Sequence, residues 1–213
     1  MRTRRVHDHA ILPIVTRLVL LLLAIPLSAQ TWQPLFDGKS LTPWRQTPFA
    51  REGKARVENG VLILSPGAPL TGVTHPNPPF QQNYEIRFEA QRKQGGDFFA
   101  SLTFPIGDAF CTWVTGGWGG DIIGISSIDG WDASDNETRS YYNFDSGRWY
   151  SFRLQVTTTH IRAWINEEQV VNVAIAGRTL SLRPGEINLS TPLGFASYNT
   201  EGWIRKIEWR PLK

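Results

Sequence analysis

Apolar and polar side chains alternate with a period of two along most of this chain. Residues 84–91 read YEIRFEAQ, and residues 150–156 read YSFRLQV. In both stretches the apolar side chains fall on one face and the polar ones on the other, as in a half-buried antiparallel strand. Residues 98–104 follow the same pattern less cleanly. No long stretch shows the period of an amphipathic helix, so the pattern predicts strands.

Further strands are predicted wherever short apolar or alternating runs lie between turn signals such as Asn59-Gly60 and Ser146-Gly147. They cover residues 61–64, 109–114, 122–126, 139–144, 160–165, 170–173, 193–197 and 203–209. Five prolines within residues 66–79 predict an irregular or edge-covering segment. Many short strands without intervening helices predict an all-β fold, an antiparallel β-sandwich of the concanavalin A-like jelly-roll type.

The N-terminal segment has a different pattern. Arginines, among them Arg5 and Arg17, precede an apolar run at residues 18–25 and a small-residue site ending at Ala29. This order predicts a secretory signal peptide over residues 1–29, with a retained anchor as the alternative. The run is short for a bilayer span, so no stable membrane insertion is expected after cleavage. We expect an exported protein (periplasmic, extracellular or at the cell surface) with one jelly-roll domain over residues 30–213.

Removing that segment changes the interpretation of the charge. The whole chain has 22 Lys+Arg and 19 Asp+Glu, a net charge of +3, but the leader contains four arginines and one acid, Asp8. The remainder is neutral, so the basic character of the whole chain is no sign of nucleic-acid binding. Only His75 and His160 remain of four histidines, which excludes a multi-histidine metal site, and His75 is expected in an exposed loop. The single cysteine, Cys111, rules out an intrachain disulfide and is expected to be a small buried hydrophobe.

Residues 116–138 read GGWGGDIIGISSIDGWDASDNET and carry the most suggestive chemistry. Glycines allow the backbone of a concave site to approach a ligand closely. Sugar rings stack on indoles such as Trp118 and Trp131, and short carboxylates such as Asp121 accept hydrogen bonds from hydroxyl groups. A substrate-binding surface for carbohydrate is therefore predicted here. The alternative is an acidic surface loop whose indoles pack inward.

Asp129, Asp132 and Glu137 are the candidate catalytic carboxylates, and Arg205 is a further candidate for substrate binding. Alternation along its strand places Arg205 on one face with Trp203 and Ile207, where it either clamps a ligand or pairs with an acid. No metal site or cofactor is predicted. Calcium is the alternative, because the loop is rich in oxygen ligands, but their spacing is not that of an EF-hand.

Several segments together resemble one known family. Residues 34–44 read PLFDGKSLTPW, similar to the opening "LFNGKDLSGW" of the 3-keto-disaccharide hydrolase domain family. Residues 147–154, GRWYSFRL, resemble its "GEWNTYEI" strand, and residues 161–166, IRAWIN, resemble its "vtvyvNG" turn. The closing segments at residues 192–195 and 203–207 are similar to its "GpIgLQ…vrfRNI" pattern. The resemblance implies a lectin- or glucanase-like jelly roll that hydrolyses glycosides oxidised at C3.

Two segments depart from the family's motifs. Residues 95–101 read GGDFFAS where members carry an "NSG…R" strand, and residues 120–127 read GDIIGISS where many carry "GYEIQILD". The leading hypothesis is an exported glycoside-processing hydrolase that cleaves 3-keto-glycosides or disaccharides. The main alternative is a non-catalytic carbohydrate-binding or cell-surface interaction module on the same scaffold. A purely structural envelope protein is a third possibility.

Overall fold

The fold consists almost entirely of short strands. A computed structural model describes residues 30–212. Over this range the regular elements are one 3₁₀ helix, Glu186–Ser190, and fifteen strands. The strands are β1 (Gln33–Pro34), β2 (Arg45–Gln46), β3 (Ala55–Glu58), β4 (Val61–Leu64), β5 (Leu70–His75), β6 (Tyr84–Gln94), β7 (Ser101–Ile106), β8 (Ala109–Gly117), β9 (Ile122–Ser126), β10 (Ser140–Tyr141), β11 (Tyr150–Val156), β12 (His160–Ile165), β13 (Glu168–Ala174), β14 (Leu193–Tyr198) and β15 (Glu201–Pro211).

The strands form two antiparallel sheets. Sheet A has the order β13-β12-β11-β6-β15-β4-β3, with β1 also paired to β15. Sheet B has the order β10-β9-β8-β7-β14-β5-β2. Strands far apart in the chain are neighbours in both sheets, such as β6 with β15 and β5 with β14. The all-β, antiparallel sandwich of the jelly-roll type predicted from the alternation is confirmed.

The core lies between the sheets and is rich in aromatic rings. In sheet A, Phe88 stacks on Phe152 with ring centroids 4.9 Å apart. Phe88 also meets Phe195 of sheet B edge to face at 4.8 Å. Trp113 of sheet B packs against Phe152 at 5.6 Å. Cys111 is buried in the same core, and burial raises the pKa of its thiol to about 12. The inward positions are the apolar ones of the period-two pattern, as the sequence predicted.

The proline-rich segment differs from the prediction. Residues 66–79 contain β5, which lies inside sheet B between β14 and β2. Its prolines stand outside the strand, with Pro69 just before it and Pro76 just after it, so they remove no hydrogen bond from the ladder. His75 ends this strand and is buried edge-on against Trp44 at 5.2 Å, which corrects its prediction as an exposed loop residue. Burial lowers the pKa of His75.

A bulge in β15 corrects a second expectation. Lys206 has a φ of 53°, and the register between β15 and β6 shifts between Arg205 and Glu208. Because of this bulge, Ile207 points into the core while Arg205 lies on the outer face of sheet A. Unbroken alternation predicted that the two side chains share one face. The bulge places them on opposite faces of the sheet instead.

The predicted signal peptide, residues 1–29, lies outside the described residues. Within residues 30–212 no helix is long and apolar enough to cross a membrane.

Candidate functional site

A groove of about 350 Å³ runs across the outer face of sheet B. Its floor is formed by outward-facing side chains of three neighbouring strands: Ser101 of β7, Thr112 and Val114 of β8, and Ser126 of β9. Residues 183–187, which lead into the 3₁₀ helix, form one wall. Residues 97–98, Trp118 and Tyr198 form another part of the lining. The groove thus has a hydroxyl-bearing floor and partly aromatic sides.

Hydrogen bonds fix the hydroxyl groups of the floor. Thr103 Oγ1 and Thr112 Oγ1 lie 2.9 Å apart across β7 and β8. Ser101 Oγ accepts a hydrogen bond of 3.1 Å from the backbone N–H of Thr115. Small hydroxyl residues at these positions keep the floor low, so that the sheet face remains open to a ligand.

Aromatic rings form the sides. Trp118 keeps 41 % of its surface exposed although it lines the groove, which leaves its indole free to meet a ligand. Phe98 packs against Tyr198 with ring centroids 5.7 Å apart. Ring faces and edges of this kind bind the apolar face of a sugar. Trp118 is therefore the sequence-predicted indole that lies at the groove.

The loop that carries Trp118 is tethered on both sides. Asp97 Oδ2 accepts a hydrogen bond of 3.2 Å from the N–H of Gly119, and its Oδ1 accepts one of 2.8 Å from the N–H of Phe98. Arg92 Nη1 donates to the carbonyl of Gly120 at 3.1 Å. Trp118 itself has a φ of 50°, a left-handed conformation that its glycine neighbours help the loop to adopt. These contacts set the position of the indole.

Asp132 lies next to the groove and contacts two of its lining residues. Its Oδ2 is 2.8 Å from Nη1 of Arg183, and its Oδ1 accepts a hydrogen bond of 3.3 Å from the Ser126 hydroxyl. The Ser127 hydroxyl donates to the same oxygen at 3.1 Å. Arg183 also lies over the Trp118 ring, 5.6 Å from its centroid. Asp132 thus orients an arginine that faces the groove.

Asp129 and Glu137 are paired with a different arginine. Arg178 Nε lies 2.5 Å from Oδ2 of Asp129, and Arg178 Nη1 lies 2.7 Å from Oε1 of Glu137. The N–H of Thr179 and the Arg178 guanidinium hold the pKa of Asp129 below its ordinary value. The hydrogen bond from Arg178 likewise lowers the pKa of Glu137. Neither carboxylate lines the groove. Both hold residues 129–137, the acidic loop, against residues 178–179.

The remaining predicted residues lie away from the groove. Asp121 and Trp131 are exposed, and neither contributes to the groove lining. Arg205 is on the opposite side of the sandwich, where it donates to Glu89 at 2.7 Å and stacks on Trp149 at 3.9 Å. Burial raises the pKa of Glu89, but hydrogen bonds from Lys206 and Arg205 outweigh it, so that the pKa is below its ordinary value.

Side-chain oxygen atoms of the acidic loop contact other residues of the protein. Asn136 Oδ1 accepts from the N–H and the hydroxyl of Thr138 at 2.9 and 2.6 Å, and the carboxylates of Asp129, Asp132 and Glu137 face arginines. Among residues 30–212 there is no cluster of three or more His, Cys, Asp or Glu side chains suited to a metal ion.

Of the residues that line the groove, the sequence predicted only Trp118 as a site residue; the polar and aromatic residues that it missed include Asp97, Arg183, Glu186 and Tyr198. Arg183 and Glu186 flank a Pro-Gly turn, and opposite charges around such a turn were the available signal. Glu186 Oε1 accepts a hydrogen bond of 3.2 Å from the N–H of Ala50, and its Oε2 has no partner among the described residues. Asp97 lies in residues 95–101 and Ser126 in residues 120–127. Both segments that depart from the family motifs therefore contribute to the groove.

Solved structures of carbohydrate-active proteins are similar to this chain in fold. A candidate glycosyl hydrolase from Parabacteroides distasonis is similar with a TM-score of 0.54 at 11 % identity, covering 85 % of this chain and 94 % of that one. Domain 4 of AbnA, a GH43 extracellular arabinanase from Geobacillus stearothermophilus in complex with arabinotriose, has a TM-score of 0.54 at 14 % identity, covering 79 % and 82 %. The carbohydrate recognition domain of Emp46p has a TM-score of 0.53 at 14 % identity, covering 86 % and 99 %. At these identities the likeness shows the fold alone.

No curated protein sequence matches the chain. The model of the 3-keto-alpha-glucoside-1,2-lyase-like domain matches residues 31–210, from before β1 to the penultimate residue of β15. This range includes both sheets and every wall of the groove. The chain therefore belongs to the 3-keto-alpha-glucoside-1,2-lyase-like domain family.

Proposed function

We propose that this protein is exported and cleaves glycosides oxidised at C3, with the sugar bound in the groove on sheet B. The observation that carries the proposal is the composition of that groove. Its floor bears hydroxyl groups, one side presents Trp118 and Tyr198, and the carboxylate of Glu186 lies on the wall. Hydroxyl groups and carboxylates suit sugar hydroxyls, and the rings suit the apolar sugar face. Family membership supports the 3-keto substrate class.

The reaction requires a base, an electrophile and an acid. A ketone at C3 acidifies the C2 proton, so a base removes that proton and the negative charge moves to the C3 oxygen as an enolate. The carbonyl then re-forms, a C1=C2 double bond forms, and the bond between C1 and the leaving oxygen breaks. The leaving oxygen takes up a proton. Water adds its hydroxyl group to C1 and a proton to C2, so the net result is hydrolysis.

Glu186 is the best-placed base in the groove. Only one of its oxygens accepts a hydrogen bond from the described residues, which leaves Oε2 free to take a proton. Asp97 is less suited, because both of its oxygens accept backbone hydrogen bonds and hold the Trp118 loop. Asp132 orients Arg183. Asp129 and Glu137, which the sequence predicted as catalytic, are held by Arg178 in ion pairs off the groove, so we assign no step to them.

Product release from 3-keto-trehalose and other oxidised disaccharides, followed by mass spectrometry, tests this function. The unoxidised sugars, a chelator-treated sample, Asp132→Asn and Glu186→Gln are assayed alongside. Cleavage confined to keto substrates and lost in Glu186→Gln supports the proposal. Equal cleavage of unoxidised sugars overturns the 3-keto specificity, and intact substrate in every sample overturns the hydrolase.

A carbohydrate-binding module is the second candidate. Residues 95–101 and 120–127 depart from the family motifs, and both segments contribute to the groove. The scaffold is that of the family, and one fold can carry both enzymes and binding modules. Intact 3-keto-trehalose that nevertheless raises the melting temperature identifies this function.

A further inference from the structure

Two arginines near the groove bind carboxylates of the same acidic loop, but only one of them faces the groove. Arg178 contacts Asp129 and Glu137, while Arg183 contacts Asp132. Arg183 lines the groove and Arg178 does not. The two arginines can therefore be compared: the ion pairs of Arg178 lie outside the groove, whereas that of Arg183 is accessible to a ligand in it.

The ion pair of Arg183 leaves most of its donors free. The contact with Asp132 joins one guanidinium nitrogen to one carboxylate oxygen at 2.8 Å, and 53 % of the Arg183 side chain is exposed. A guanidinium carries five N–H donors in a fixed fork. No further hydrogen bond of Arg183 to the described residues accompanies this contact, so the other donors are available at the mouth of the groove.

The carboxylate behind Arg183 is itself fixed. Asp132 accepts hydrogen bonds from Ser126 and Ser127, and Ser126 Oγ in turn accepts from the N–H of Ala133 at 3.0 Å. Ser126 is buried in the groove floor. This chain of contacts orients the guanidinium before a ligand arrives, and such preorganised donors are the ones that stabilise charge in a transition state.

We propose that Arg183 is a catalytic residue that binds the C3 oxygen of the substrate and stabilises the enolate formed there, and that Asp132 is the positioning residue for it. This inference rests on the proposed function. A sugar that contacts Trp118 also meets this guanidinium, because Arg183 lies over the Trp118 ring. Glu186, three residues further on, removes the C2 proton from the same wall of the groove.

Steady-state kinetics on 3-keto-trehalose test the assignment. Arg183→Ala is expected to lower kcat by about 100- to 1,000-fold, the usual effect of losing one oxyanion donor. The kcat of Arg183→Lys should lie between those of the wild type and Arg183→Ala, because lysine keeps the positive charge but lacks the forked donors of a guanidinium. Added guanidinium ion should restore part of the Arg183→Ala activity. In Arg183→Ala the affinity for unoxidised trehalose should fall far less than kcat does, because that sugar develops no enolate. Asp132→Asn should lower kcat less than Arg183→Ala does, and guanidinium ion should not rescue it.

Arg178→Ala is the matched control, since it breaks a similar ion pair off the groove. It should lower the melting temperature and leave kcat unchanged. Wild-type kcat in a folded Arg183→Ala, or an equal loss in Arg178→Ala, overturns the assignment while the proposed function stands. A wild-type protein that cleaves no 3-keto-glycoside overturns the proposed function and the catalytic role together. If Arg183→Ala does not fold, Arg183→Lys with wild-type kcat overturns the assignment.

Discussion

The backbone N–H of Gly119 donates a hydrogen bond of 3.2 Å to the Asp97 carboxylate. The two residues belong to different loops, and this bond joins the loops at one end of the groove. It also helps to fix Trp118, the residue before Gly119, whose indole is 41 % exposed in the groove, where Tyr198 is 37 % exposed. The position of the predicted sugar-binding ring therefore depends on an acid that does not itself need to contact sugar.

Asp97→Ala is expected to weaken binding of 3-keto-trehalose about tenfold without loss of the fold. The substitution removes two acceptors of backbone hydrogen bonds, each worth roughly 1.5–3 kcal/mol to a charged group, and the Trp118 loop loses part of its order. Isothermal titration calorimetry on a catalytically impaired Glu186→Gln background measures the effect. Asp108→Ala, which removes an exposed carboxylate in the turn between β7 and β8, is the control and should change nothing.

Trp118 and Trp131 are expected to differ in their effect on ligand affinity, although the sequence made them equivalent candidates. Trp118→Ala should weaken binding about tenfold, because ring stacking is worth roughly 0.5–1.5 kcal/mol beyond the area it buries. Trp131→Ala should leave the affinity unchanged, since this indole is 62 % exposed and lies outside the groove lining. The same titration distinguishes the two. A larger loss in Trp131→Ala would place the sugar on the acidic loop instead.

The sequence predicted the fold well because alternation is a local signal that burial enforces. In β11 every apolar residue is buried, and in β12 Ile161, Ala163 and Ile165 are buried, as alternation predicts. Errors arose where one residue changed the local geometry. The bulge at Lys206 reversed the faces of β15, and prolines outside β5 made a central strand look like an irregular segment.

The groove was harder to predict, because its residues are distant in sequence. Arg183 meets Asp132 only after β10 to β13 have been placed, and no spacing rule joins them. The composition of the acidic loop predicted catalytic carboxylates there. In the structure, Arg178 binds two of the three candidates. Composition predicted a site at the acidic loop, which lies beside the groove. It did not indicate that its three candidate carboxylates lie outside the groove lining.

Arg178→Ala is expected to lower the melting temperature at neutral pH, with an effect that vanishes in acid. Asp129 and Glu137 have folded-state pKa values below the ordinary 3.8 and 4.5. A lowered carboxyl pKa contributes stability that is complete above the unfolded pKa and is lost as the pH falls through the folded one. The difference in melting temperature between wild type and variant should therefore be constant above about pH 6 and shrink below about pH 4.

Thermal unfolding followed by circular dichroism across this range measures the difference. Arg139→Ala is a suitable control, because Arg139 donates to the Ser134 carbonyl and forms no ion pair among the described residues. Its effect should not depend on pH between these limits. A difference for Arg178→Ala that persists unchanged in acid would mean that packing, and not charge, stabilises this part of the loop.

Gly202→Ala is expected to be among the most destabilising single substitutions in the chain. Gly202 lies at the start of β15, and a Cβ placed there would come within 1.9 Å of the Phe99 carbonyl oxygen. To relieve this contact, β15 would have to move away from residues 98–99. These residues adjoin the groove. Overpacking of this kind costs about 3 kcal/mol, or roughly 6–12 °C in melting temperature for a domain of this size.

Gly96→Ala is the matched control, since a methyl group at that position would meet nothing within 4 Å and the φ of Gly96 is not positive. Differential scanning fluorimetry of the two variants should therefore show a large loss for Gly202→Ala and almost none for Gly96→Ala. Similar melting temperatures for both would show that β15 and residues 98–99 are not held in contact.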